Sequence, residues 1–343
     1  MDRLTRAVKD EARRLGFILA GVTTPEAPSS GPVLQDWLAA GYQAGMGYLA
    51  DPRRMDPRRL LPGCRSILVL ALRYPDPRTI PASPGRGRLA AYAWGEDYHR
   101  VLPAQLARLV EFIKNQGNPD LQSVCATDSA PLLERALGQR AGLGWIGRNS
   151  CLIHPVLGSY TLLAEILLSL ELEVDPPFPA DRCGACHRCL DACPTGCLLP
   201  NRTLDSRSCI SYLTIENRGE IPPAVRPSLG SWVFGCDLCQ SVCPWNRRAG
   251  QVEPDPALLP HPGQPDPLLA TELVHTPQSF LRRYHGSPVL RAHWRGYLRN
   301  VSVAAGNAAS PAALPALSKL LQESDPLLRE HAAWAIQTIR SRI

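Results

Sequence analysis

Two runs of cysteine constrain this 343-residue chain more than any other feature. The first is Cys183-x2-Cys186-x2-Cys189-x3-Cys193-Pro194, and the second is Cys236-x2-Cys239-x3-Cys243-Pro244. Cys209, upstream of the second run, supplies an eighth thiol. Each two-residue gap turns the next sulfur back toward the same centre. The Cys-Pro step then leads the chain away toward another centre. This is the bacterial ferredoxin spacing for two 4Fe–4S clusters, in which the fourth cysteine of a run serves the other cluster. The pattern assigns Cys183, Cys186, Cys189 and Cys243 to one cluster, and Cys193, Cys209, Cys236 and Cys239 to the other. The long stretch between Cys209 and Cys236 departs from the ferredoxin pattern and must loop out, free for another task. Zinc also takes Cys-x2-Cys pairs, but it wants four ligands in two pairs, and the first run overfills that need. A disulfide scaffold suits a much shorter, secreted chain. Cys64, Cys125, Cys151 and Cys197 read as small buried apolar side chains.

At 45% hydrophobic the chain can bury a sizeable core and is expected to be globular. No run is long enough to span a bilayer, so no membrane partner is expected. Residues 1–16 lack the apolar core of a signal peptide and read as an amphipathic helix with Leu4, Val8, Ala12 and Leu15 inward. Cluster ligands need reduced thiols, which points to the cytoplasm. The net charge of +6 permits a polyanionic partner without requiring one. Oligomeric state is not legible, and a monomer is the default.

Residues 17–22 and 66–72 read as buried strands, with a Pro- and Gly-rich loop at 76–87. Residues 101–116 have helical period, 121–127 read as a strand, and 130–139 as a helix behind Asp128. Residues 160–170 are apolar and could be helix or strand. Alternating strands and helices argue an α/β domain over residues 1–177. Prolines at 176, 177 and 179 mark a hinge into a cysteine-rich module, residues 178–250. The remainder, 251–343, turns helical. Residues 312–321 and the helix after Asp325 form a pair of HEAT type or an ordinary closing hairpin.

Three further segments are dense in chemistry. They are Tyr92-Ala93-Trp94-Gly95-Glu96-Asp97-Tyr98-His99, then Asp128 with Glu134-Arg135, then Gly142-Leu143-Gly144-Trp145-Ile146-Gly147-Arg148-Asn149. From spacing alone, Asp128 is either a reactive carboxyl or a helix cap. His99 is either functional or a satisfied polar residue. The glycines allow close backbone approach to a flat ligand, but no strand-end acid follows at dinucleotide-fold distance.

These segments, with Arg54-x2-Pro57-x2-Leu60-Leu61-Pro62 ahead of them and the two cysteine runs behind, occur in this order in one family. The chain resembles the epoxyqueuosine reductases of bacterial queuosine biosynthesis over nearly its full length. The resemblance implies an α/β cobalamin-binding catalytic domain, a ferredoxin-like module with two 4Fe–4S clusters and a HEAT-like helical tail, a fold related to reductive dehalogenases. It implies reduction of epoxyqueuosine to queuosine at position 34 of tRNA, with base-off cobalamin and an electron donor of ferredoxin or flavodoxin type. Asp128 matches the proton donor, and burial against the corrin is expected to raise its pKa. Arg54, Trp145, Asn149, Ser211 and Thr214 become candidate corrin contacts, the last two within the looped-out segment. Asp97 and Tyr98 become substrate-side groups, and His99 is not expected to ligate cobalt.

A basic stretch at 281–299 carries Arg282, Arg283, Arg291, Arg295 and Arg299, interleaved with Tyr284, Trp294 and Tyr297. It is expected to meet tRNA, chiefly through Arg291 and Arg295, unless it is a solvated helix face above core aromatics. Two rival functions remain at this level. Reductive dehalogenation uses the same cofactors but usually carries an export signal. A plain electron carrier would need neither Asp128 nor the arginines.

Overall fold

Residues 66–73 give the sheet its centre. Every side chain of the strand Ser66–Arg73 (β2) is buried, as a strand covered on both faces requires. Leu19–Thr23 (β1) pairs antiparallel on one side of it. Thr161–Leu168 (β4) pairs antiparallel on the other and also carries Ser123–Ala126 (β3). The order is β1-β2-β4-β3, antiparallel throughout. The ambiguous run at 160–170 is thus a strand, because it has a hydrogen-bonding neighbour on each side. This computed structural model describes residues 2–79, 83–179, 181–250 and 252–342. Part of the loop expected at 76–87 lies outside them.

Helices cover both sheet faces. On one face lie Arg3–Arg14 (α1) and Tyr98–Asn115 (α2), against Leu68, Leu70, Leu72, Ala164, Ile166 and Leu168. Asp2 caps α1, and within it Val8 and Ala12 are fully buried, as its period predicts. Asp97 caps α2 by accepting from the His99 backbone N–H. On the other face, the helix Glu134–Arg140 (α3) lies over Ile67, Val69 and Leu167. It starts later than the expected 130–139, because the backbone turns at Asp128 (φ 50°) and its N-cap is Leu133. Asp128 is therefore not a helix cap.

The cysteine-rich segment is mostly loop, punctuated by one-turn helices at Arg188–Asp191, Leu238–Ser241 and Pro244–Arg247. It is stitched to the first domain by Arg88–Leu89, which pairs parallel with Trp232–Phe234. The tail is helical, with His293–Asn307 (α4), Leu314–Leu320 (α5) and Pro326–Arg340 (α6), the last capped by Asp325. One apolar cluster runs from α1 through α2 into these tail helices, so the stretches share a core.

Candidate active site and cluster module

The loop between β3 and α3 presents Asp128. Its φ of 50° lies in the left-handed region, which is uncommon for a residue with a side chain and is held only where surroundings over-determine it. Two contacts do so here. The Asp128 backbone N–H donates to Glu134 Oε1 at 2.6 Å. The Tyr98 hydroxyl donates to Asp128 Oδ2 at 2.8 Å. The Asp128 side chain itself is 67% exposed, so the chain alone does not bury this carboxyl. Burial raises the pKa of Tyr98, and the adjacent Asp128 charge adds to it, so the phenol stays protonated and donates.

Beside this pair, His99 Nδ1 lies 2.8 Å from Asp97 Oδ1, and His99 Nε2 lies 3.9 Å from Asp128 Oδ2. The hydrogen bond to Asp97 raises the His99 pKa against the opposing effect of burial. Burial works to raise Asp97, but hydrogen bonds from the His99 ring and backbone outweigh it and hold Asp97 low. The Asp97 carboxylate is therefore engaged by the backbone and ring of His99.

Two carboxyls behind the loop complete the group. Glu165 projects from β4 on the face of Leu163 and Leu167 and is 0% exposed. Among the described residues neither of its oxygens has a hydrogen-bond partner. Burial, with Glu134 and Asp128 nearby, raises its pKa well above the ordinary value, so it is a neutral acid. Burial also raises Glu134, to about 7, with the Asp128 charge reinforcing the shift. Sequence reasoning missed Glu165. The signal was a lone acid in the run Leu162-Leu163-Ala164-Glu165-Ile166-Leu167-Leu168.

The expected corrin contacts divide. Arg54 Nη1 donates to the Leu132 carbonyl at 3.0 Å, which ties it to the Asp128 loop, and its buried Nε has no partner among the described residues. Asn149 is 5% exposed, and its Nδ2 is likewise unpartnered. Trp145 lies instead in the cluster module. It is buried against Phe178 and Trp245, and its Nε1 points at Cys183 Sγ, 3.5 Å away. Thr214 is 1% exposed, and its hydroxyl is bound to the Ile210 carbonyl and the Gly235 N–H, so no free polar atom remains for a ligand. Ser211 is half-buried on the same short helix, Ile210–Ile215.

Cys183, Cys186, Cys189 and Cys243 line one cavity of about 200 Å³, with Arg148, Asn149 and Trp245 on its walls. Cys209 and Cys236 lie close enough to Cys193 to feel its charge, and Cys239 to feel those of Cys209 and Cys236, which makes a second group. Cys197 joins them, with its sulfur 3.5 Å from that of Cys193, although its sequence context suggested only a buried apolar side chain. Among the described residues no three His, Cys or carboxylate side chains converge on a single-ion site.

The basic stretch at 281–299 separates into two kinds of residue. Tyr284 and Tyr297 are fully buried, with both hydroxyls on Glu272. The Trp294 indole donates to the His275 carbonyl. Arg299 is 1% exposed and donates to the carbonyls of Leu213, Asn217 and Gly219. These residues pack inward, which corrects their expected place at an RNA surface: Tyr297 and Arg299 lie on the buried face of α4, and Tyr284 ends the preceding helix Pro277–Arg283 against the same core. Arg291 and Arg295 do stand outside, paired with Glu216 and Asp325. Arg291 is also close enough to influence Tyr48, Tyr92 and His99.

Comparison with known proteins agrees with this geometry. The 4Fe-4S double cluster binding domain family matches residues 182–246, and the family described as epoxyqueuosine reductase QueG, DUF1730 matches residues 54–129. The epoxyqueuosine reductase of Pseudomonas aeruginosa is 39% identical, over 98% of this chain and 94% of its own length. An epoxyqueuosine reductase solved with an epoxyqueuosine-modified tRNA-Tyr stem loop superposes with a TM-score of 0.91 at 33% identity, covering 98% of this chain and 90% of that one. A Bacillus subtilis epoxyqueuosine reductase, solved with its catalytic aspartate loop swung out of the active site, gives 0.91 at 32% identity, with coverage of 98% and 90%. With a 4Fe-4S double cluster domain family matching its cysteine module and an epoxyqueuosine reductase 39% identical over 98% of its length, the chain belongs to the epoxyqueuosine reductase family.

Proposed function

We propose that this chain reduces the epoxide of epoxyqueuosine to the cyclopentene of queuosine at position 34 of tRNA, with Asp128 as the proton donor. The balance is epoxide plus two electrons and two protons giving alkene plus water. An oxygen leaves carbon well only once protonated, so a positioned acid is required. The observation that carries this reading is the Asp128 carboxyl itself, exposed on a left-handed loop and aimed by the Tyr98 hydroxyl.

The chemistry the cofactors supply when bound is one-electron relay by the 4Fe–4S clusters and low-potential reduction at the cobalt of a base-off cobalamin. The unpartnered donors Arg54 Nε and Asn149 Nδ2 suit the amide carbonyls of a corrin. Trp145 and Thr214 are better assigned to packing. Cys183, Cys186, Cys189 and Cys243 would hold one cluster, supported by their shared cavity. Cys193, Cys209, Cys236 and Cys239 would hold the other. Tyr98 orients Asp128, and the Asp97–His99 pair lies on the substrate side. Arg291 and Arg295 would contact anticodon-loop phosphates, and the α5–α6 pair would serve as a HEAT-type repeat. The protein would work as a cytoplasmic monomer with a ferredoxin- or flavodoxin-type donor. Cells lacking it should accumulate epoxyqueuosine in tRNA, and purified holoenzyme with a reductant should convert that tRNA to queuosine. Unaltered tRNA in such cells would overturn the assignment.

A further inference from the structure

The reaction needs two protons, and Asp128 carries one. We propose that Glu134 holds the second proton and reloads Asp128 within the catalytic cycle, while the neutral Glu165 behind it stabilises the carboxylate that Glu134 becomes. This rests on Asp128 being the proton donor.

The geometry carries the inference in three parts. Glu134 Oε1 is 2.6 Å from the Asp128 backbone nitrogen, so its carboxyl sits beside the residue it would serve. It is half-buried at the start of α3, whereas the Asp128 side chain is 67% exposed. Glu165, 0% exposed with both oxygens unpartnered, stands opposite Ala126 of β3, two residues before Asp128. A buried carboxylic acid with no partner carries an O–H seeking an acceptor. Its closest charged neighbours in electrostatic terms are Glu134 and Asp128. The charges facing Glu134 are Asp128, which favours its protonated form, and Arg135 and Arg54, which favour its carboxylate. Tyr98 and His99 face Asp128 from α2. The result is an acid half-protonated at about pH 7, the condition in which a proton is both present and transferable.

The steps balance. Asp128 gives its proton to the epoxide oxygen as the first carbon–oxygen bond breaks and the ring opens to a hydroxyl, and Asp128 becomes a carboxylate. The Glu134 O–H bond then breaks as an Asp128 O–H bond forms. That proton completes water as the second carbon–oxygen bond breaks, and the two electrons from the external reductant end in the new carbon–carbon double bond. Solvent recharges Glu134 after product leaves.

Glu134→Gln separates proton supply from structure, because the amide oxygen still accepts the Asp128 N–H while the amide holds no transferable acid. We expect turnover to fall at least tenfold, the solvent isotope effect to rise, and loss of a rate decline that wild type should show as pH rises through about 7. Cluster and cobalamin content should be unchanged. An infrared carboxylic-acid band that titrates near neutrality should be present in wild type, move to lower pH in Asp128→Asn, which removes the charge that favours the acid, and be absent in Glu134→Gln. A wild-type rate and pH profile in Glu134→Gln, with Asp128→Asn inactive, would overturn the relay and leave the Asp128 assignment standing. Full turnover in Asp128→Asn would remove both.

Discussion

Replacing Glu165 by glutamine should stabilise the protein, by an amount that depends on pH. Glu165 is fully buried with no hydrogen-bond partner among the described residues, so the fold accepts it only as a neutral acid. In the unfolded chain it titrates near 4.5. Below that pH both states hold the proton, and the side chain contributes no pH dependence. Above it the unfolded chain releases the proton while the folded chain keeps it. Stability therefore falls as pH rises toward the elevated folded pKa, by about 1.4 kcal/mol per unit. Glutamine has the same shape and no proton to hold, so the variant escapes that loss. Urea unfolding of anaerobic holoprotein, followed by tryptophan fluorescence at several pH values between about 4.5 and 8, reads the difference through the transition midpoints. Variant and wild type should nearly coincide at the acid end and separate steadily, with the variant the more stable at neutrality. A pH-independent offset would refute the reasoning, because it would mean that the Glu165 carboxyl is ionised or otherwise satisfied in the folded chain.

Asp128→Asn should retain clusters and cobalamin and lose turnover by about 100-fold or more, the usual contribution of a positioned acid; failure to take up cobalamin would make the carboxylate a structural group instead. The paired reversals Arg291→Glu and Arg295→Glu should weaken binding of a tRNA anticodon stem loop and flatten its salt dependence by about 0.7 in slope per lost phosphate contact. Each arginine is about half exposed and ion-paired, so the accompanying stability change should stay within about 1 kcal/mol, and unchanged affinity would remove this surface from the tRNA interface. Arg299→Gln should behave in the opposite way. It leaves the carbonyls of Leu213, Asn217 and Gly219 short of donors in a buried site and should cost about 3 kcal/mol or more, visible in the urea midpoint, with no change in the salt slope of tRNA binding.

The contrast between Arg295 and Arg299 shows where sequence reading stops. Both are arginines on one helix in a stretch without acids, yet one reaches Asp325 at the surface and the other is 1% exposed. Their separation depends on which face of α4 meets the segment after Cys209, a long-range contact that local composition does not encode. Thr214 makes the same point, because its hydroxyl is bound inside by the Gly235 N–H. In contrast, α1 with Val8 and Ala12 inward and α6 with its Asp325 cap were legible, because period and capping are set within a few residues.

What the sequence determined alone was the iron–sulfur character of the chain, its family resemblance and the identity of Asp128 as a reactive candidate. Thiol spacing constrains local backbone path, and ordered motifs survive without knowledge of packing. Tertiary structure alone decided the strand at Thr161–Leu168 and the backbone turn that frees Asp128 from capping α3. It also decided the placement of Glu134 and Glu165 behind that loop. The protonation of a carboxyl is fixed by the dielectric and the charges around it, and these are assembled from residues far apart in the chain.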